Sequence, residues 1–386
     1  MNKSKRLIFL LPAISALLLT MWSCNFLQTG RDKISGDENS WPVFRGNNTL
    51  TGYTGAKLPE QPALLWEYKS TTRTVSSPVV YNDIVYWSNR RGLIKGLDKD
   101  GNEVFSKDLD IAVEASLLLS DSIIYIGNMN GTMLALSLNS GNEIWRYETD
   151  GQISGSANIS NIDGNKYILF GSYDYFFYCL NATTGELVSK FESDYYINGA
   201  ASVSGWNIAY GGCDAKVRIV DIKAGTETRQ VELDIYVPSS PVYDGENLYV
   251  GDYNGTIYRI TGPDTVKLFN PAADNGSYIA MPAIDKKYII FSSVDNKIYC
   301  LNKTDGHEVW SSLLGDYCES SPVIAGNNIV ICGKNGKVFL LDAKNGEILW
   351  TYDTGEMISA SPAVVSGRFY ILTTKGTLFC FGEKQL

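Results

Sequence analysis

Residues 64–78 read LLWEYKSTTRTVSSP and residues 348–362 read ILWTYDTGEMISASP, each running from a Trp to a Pro (Trp66 to Pro78, Trp350 to Pro362). The unit recurs between them, anchored at Trp66, Phe105, Trp145, Ser189, Arg229, Asn270, Trp310 and Trp350, in steps of 39 to 44 residues. A period near 40 residues built from short strands is the pattern of a β-propeller blade. The last unit stops at Leu386 before a fourth strand of its own, while 64–68 reads as a spare fourth strand. The sequence therefore predicts an all-β chain: an eight-bladed β-propeller of four-stranded antiparallel blades, closed by an N-terminal strand pairing into the last blade. Closure removes the free sheet edges of an open array.

The seventh unit shows how a blade is written. SSPVIAG (320–326), NIVICG (328–333), KVFLLD (337–342) and EILWTYD (347–353) are four apolar runs separated by Gly- and Asn-rich turns. Those residues tolerate the positive φ that tight hairpins require. An Asp or Asn four residues before a closing Gly (Asn181/Gly185, Asp221/Gly225, Asn302/Gly306, Asp342/Gly346) predicts a side-chain-stabilised turn. The Pro of the recurrent Ser-Pro pair suits an innermost strand whose inner edge has no partner. A longer hairpin loop is expected around 161–164, and the fifth unit, with Gly262-Pro263-Asp264 and Asn270, is degenerate. Cys179, Cys300 and Cys380 fall at one repeat position of three different blades, too far apart to bond, so buried free thiols are expected.

Lys3, Lys5 and Arg6 precede an apolar run, 7–22, too short to span a membrane comfortably. It ends in MWSC (21–24), which resembles a bacterial lipoprotein cleavage box with Cys24 as the lipidated residue. The expected organisation is a signal peptide over 1–24, a flexible tether over 25–40 and the propeller over 41–386. Removing 1–24 moves the net charge from −9 to about −12. An acidic exported domain without a basic run is a poor binder of nucleic acid.

The unit at 320–350, its copy at 114–145 and the prefix WPVFRGNNTLTG (41–52) resemble the pyrroloquinoline-quinone (PQQ)-like repeat family. A lipoprotein of eight such units is most similar to the BamB-type group of outer-membrane β-barrel assembly lipoproteins. The resemblance implies a protein-binding scaffold in the bacterial cell envelope, a monomer on the outer membrane facing the periplasm, with barrel-assembly components as partners. Catalytic relatives stack the quinone against an adjacent-cysteine disulfide. No two cysteines here are adjacent, so no cofactor is expected and an oxidoreductase is the third reading. The lone His307 falls at a turn position, which removes His-based triads.

The links between blades draw one loop face. By alternation, Val113, Ile153, Ile197, Val237 and Ile358 pack inward and their neighbours face out. The candidate binding rim is Arg73, Glu114, Tyr195, Tyr196, Asn198, Tyr236, Tyr278, Tyr317 and Glu319, mixed with Asp194, Asp234 and Asp316. Tyrosine suits recognition because a rigid ring brings contact area at low entropic cost. An aromatic, acidic rim also suits sugars, so a glycan- or small-ligand-binding propeller is the alternative. Glu114 and Glu319 are the acids available across the funnel for acid–base work. Asp252 and Asp295, in hairpin turns, are read as structural rather than as calcium ligands.

Overall fold

A computed structural model describes residues 37–70, 72–270 and 280–384, all within the unit Lys33–Leu386. Cys24, the signal region, the tether up to residue 36 and Tyr278 lie outside the described residues. No helix among the described residues is long and apolar enough to cross a membrane.

The strands form eight sheets, each with four antiparallel strands, and the short strand Tyr53–Thr54 adds a fifth, parallel strand to the seventh. Blade 7 consists of Val323–Ala325, Asn328–Cys332, Lys337–Asp342 and Ile348–Asp353. In blade 8 the outer strand is Ala63–Tyr68, paired antiparallel with Leu378–Gly382, and Trp66 lies opposite Cys380. The ring closes as the repeat predicts.

The turn chemistry follows the sequence pattern. Asn181 accepts the Gly185 N–H on its carbonyl and the Thr183 N–H on its side chain, both at 2.9 Å, and Gly185 has φ 74°. The same turn recurs at Asp221, Asn302 and Asp342. His307 sits exposed in such a turn, its Nδ1 2.6 Å from Asp305. Asp252 is consumed locally, accepting from the Thr256 N–H at 2.9 Å and the Tyr258 hydroxyl at 3.0 Å.

Tryptophans on the outer strands join blades. The Nε1 of Trp145 donates to the carbonyl of Ala182, 2.9 Å away on the next blade, and Trp310 does the same to Ala343 at 3.1 Å. A Cβ at Gly185 would stand 2.7 Å from the Trp145 ring, so this turn needs glycine both for space and for its positive φ. All six cysteines of the propeller are free, and every one except half-buried Cys213 is buried. Burial pushes the thiols of Cys179, Cys300, Cys318 and Cys380 up to about 12.

Four details differ from the sequence expectations. In blade 5 the residue opposite Arg259 is Val266, and the outer strand Asp264–Phe269 ends before Asn270. The tight Gly262-Pro263 turn shortens the connection, so the repeat anchor arrives early. The extra residues of blade 3 lengthen the paired strands Asn158–Ile162 and Asn165–Gly171, while the turn between them is only Asp163-Gly164. Cys213, which the repeat pattern puts in the second strand of blade 4, lies in the turn after that strand, Asn207–Gly211.

The fourth difference matters most. The inner edges of the first strands are not unpartnered, because residues 38–57 wind around the axis and hydrogen-bond to every blade in turn. Trp41 exchanges two backbone bonds with Val80, and the carbonyl of Pro42 accepts from Leu119. Asn48 bonds Asn158 and Val203, Thr49 accepts from Tyr243, and Thr51 from Ile284. Tyr53–Thr54 pairs parallel with Val323–Ala325, and Glu38 and Lys57 accept from Ser366 and Gly367 of blade 8. The guanidinium of Arg45, 1 % exposed, donates to the carbonyls of Pro282 and Pro322. Backbone groups that an inner strand would leave open are thereby satisfied.

Candidate functional site

A belt of serines surrounds the axis above this strap. At the repeat position that holds the serine of the Ser-Pro pairs, the backbone N–H donates to the serine hydroxyl of the next blade: Ser77 to Ser116, Ser116 to Ser156, and Ser321 to Ser361. Ala200 and Met281 donate onward to Ser240 and Ser321, but having no hydroxyl they interrupt the belt as acceptors. Small side chains let the blades converge here, and Ser adds an acceptor for an amide that faces the axis.

The belt lines a cavity of about 360 Å³ to which each of the eight blades contributes. Phe44 of the strap lines its inner end, and Glu114, Ser154, Asn198, Pro238 and Glu319 stand on its wall. Ser154 Oγ and Asn198 Oδ1 are buried without a hydrogen-bond partner among the described residues. Neither funnel acid is isolated: Glu114 pairs with Arg90, and Glu319 with Lys334 at 2.6 Å.

Outward from the funnel, one geometry repeats. The carbonyl of the link residue five before the proline accepts from the turn after the blade's second strand. Examples are Arg73 with Arg90, Tyr196 with Cys213, Tyr236 with Tyr253, and Tyr317 with Lys334. At Tyr236 and at Tyr317 the pair also brings the two side chains together on the rim. Tyr196 stacks on Tyr173 with ring centroids 4.7 Å apart, and Tyr175 lies 5.8 Å from Tyr195 and 5.3 Å from Tyr196. One blade on, Tyr236 meets Tyr253 at 4.5 Å. Burial, followed by Tyr253, pushes the Tyr236 hydroxyl up to about 12, and neighbouring Tyr196 raises that of Tyr175. Tyr317 faces Lys334, whose Nζ is 5.8 Å from the ring.

The structure thus gathers Tyr195 and Tyr196 into one cluster, and Glu114, Asn198 and Glu319 into one cavity. It leaves Arg73, Tyr236 and Tyr317 at separate stations of the rim. The acids around them are largely neutralised. Asp194 pairs with Lys216 at 2.6 Å and Asp234 with Lys267 at 2.5 Å, while buried Asp316 holds Asn335 at 2.9 Å. Sequence reasoning missed Tyr173, Tyr175 and Tyr253. A signal for Tyr253 existed in the 17-residue spacing from link to turn (196 to 213, 236 to 253, 317 to 334), whereas Tyr173 and Tyr175 reach Tyr196 and Tyr195 from the preceding blade, outside that spacing. Among the described residues no group of three His, Cys, Asp or Glu side chains converges as a metal site would require.

Comparison with known proteins places this geometry. Solved structures with the same fold include BamB from Moraxella catarrhalis, at TM-score 0.71 and 17 % identity, covering 84 % of this chain and 98 % of that one. Quinohemoprotein alcohol dehydrogenase from Comamonas testosteroni has TM-score 0.72 at 12 % identity, over 90 % of this chain and 81 % of that one. The computationally designed protein Ika8 has TM-score 0.71 at 15 % identity, over 85 % and 100 %. At these identities the likeness shows the fold alone. No curated protein matches the chain by sequence. The family described as outer membrane protein assembly factor BamB matches residues 22–261 and 178–385, and this chain belongs to that PQQ-like propeller family.

Proposed function

We propose that this protein is a non-enzymatic scaffold of the bacterial cell envelope, anchored by lipid at Cys24, that binds protein partners through its rim. The carrying observation is the tyrosine surface at blades 3 to 5, where Tyr173, Tyr175, Tyr195 and Tyr196 stack and Tyr236 meets Tyr253. Clustered rings at the mouth of a funnel are the kind of anchor that dominates interface energetics. Tyr195 is 46 % exposed although it is large and aromatic. Family membership favours partners among the outer-membrane assembly components, with the protein at the outer membrane facing the periplasm. The absence of adjacent cysteines and the pairing of Glu114 and Glu319 weigh against catalysis.

The test is an affinity pull-down from detergent-solubilised envelopes, comparing wild type with Tyr195→Ala/Tyr196→Ala/Tyr236→Ala. Assembly components recovered by the wild type and lost from the variant support the reading; identical recoveries refute the rim as the site. A small-ligand reading rests on Ser154 Oγ and Asn198 Oδ1, polar atoms buried in the funnel wall without partners. A glycan array tests it, with Asn198→Leu as the variant that should lose any signal.

A further inference from the structure

The junction between blades 4 and 5 lacks the aromatic pair that blades 1, 2 and 8 present to the blade that follows them. At the blade 2–3 junction, Tyr125 and Trp145 both lie opposite Ala135 on neighbouring strands, with ring centroids 5.8 Å apart. Both rings donate to the Ala182 carbonyl of the next blade, at 3.2 and 2.9 Å. In blade 4 the same register puts Ala209 and Arg229 opposite Ile219. Two aromatic rings are therefore replaced by a methyl group and a guanidinium. On the facing blade, Ile260 occupies the position of Leu180, and Gly262 stands where Ala182 is the acceptor. Nothing lies within 4 Å of a Cβ built on Gly262.

The result is an open slot of about 280 Å³, lined by Ala209, Ile219, Arg229, Ile260, Gly262 and Glu246 among others. The Arg229 guanidinium makes no hydrogen bond or ion pair with the described residues. It is half-buried, so it lacks part of its water as well, whereas Glu246 at the edge is exposed and solvated. A partly desolvated cation beside an apolar void favours an occupant that brings a carboxylate and a ring together.

We propose that this slot is a binding site for an aromatic side chain of a partner protein, presented next to an acidic residue. The ring enters the space that Tyr125 and Trp145 fill at the homologous junction, and the carboxylate pairs with Arg229. The site lies between blades, separate from the tyrosine rim, and does not depend on it.

The experiment uses the peptide acetyl-Asp-Trp-Asp-amide as probe, followed by calorimetry and ligand-observed NMR. Wild type should bind it, and Arg229→Gln should weaken binding about tenfold or more, the loss expected for one charge-assisted contact. The double variant Ala209→Tyr/Arg229→Trp, which rebuilds the aromatic pair, should lose binding while melting at or above the wild-type temperature. That melt shows the variant is folded and the slot filled. Acetyl-Lys-Trp-Lys-amide should bind at least tenfold more weakly than the acidic peptide. The proposal is overturned if wild type does not bind the acidic peptide at millimolar concentration. It is equally overturned if the rebuilt variant binds as wild type does, or if the basic peptide binds as well.

Discussion

The backbone N–H of Ser361 donates to the hydroxyl oxygen of Ser77 at 3.0 Å, joining the last blade to the first across 284 positions of sequence. It is the same bond that Ser77 makes to Ser116 at 2.8 Å, so the seam of the ring is chemically one more blade junction. Deleting residues 63–68 removes the outer strand opposite Leu378–Gly382 and should convert a single cooperative urea transition into a broad one with a lowered m-value. A sharp transition with unchanged m would show that the seam does not hold the ring.

Arg45 bridges blades 6 and 7 from within the strap, donating to Pro282 and Pro322 while 1 % exposed. Arg45→Ala leaves two buried carbonyls without these donors and should cost about 3 kcal/mol in denaturant melts. Arg45→Lys should recover only part of that, because one ammonium does not reproduce the fork of the guanidinium.

Trp145 and Trp310 are 8 % and 9 % exposed and donate to the next blade, whereas Trp350 is half-buried and faces the blade that carries the chain ends. Replacing Trp145 by Ala should cost about 3–5 kcal/mol and replacing Trp350 measurably less. Equal costs would place the stabilisation in ring area alone, with the indole hydrogen bond contributing nothing.

Buried thiols hold their protons to about 12 at Cys179, Cys300, Cys318 and Cys380, against an ordinary value of 9.0. In the unfolded chain they ionise first, so the unfolded state binds fewer protons in that window and stability falls as pH rises from about 9 to about 12. Below pH 9 this contribution is fully present. A thiol reagent at pH 8 should modify Cys213 in the native protein and the remaining propeller thiols only after denaturation, as read by mass spectrometry.

The blade count, the seam and the shared site of Cys179, Cys300 and Cys380 were legible because each repeats at one register position in many copies. Asn270 misled for the complementary reason: a turn shortened at Gly262 shifts the anchor to Val266 without breaking the overall period. The strap left no such trace. Most of its bonds use its own backbone, one or two to each of the eight blades, and neither a period of two nor one of 3.6 arises from that path. The rim was half legible. Tyr195 and Tyr196 are adjacent in the sequence, but their partners Tyr173 and Tyr175 come from a turn whose relation to the link appears only once the strands are folded.

A ring of near-equivalent blades has no intrinsic reason to stop at eight, since each junction resembles the next and a seventh or ninth copy would present the same faces. The strap supplies that reason. From Trp41 beside Val80 to Lys57 beside Gly367 its backbone meets blades 1 to 8 in chain order, and its contour holds a docking station for every blade. Gaining or losing a repeat would put every later station out of step, so the strap works as a ruler against which duplication and deletion of blades are measured.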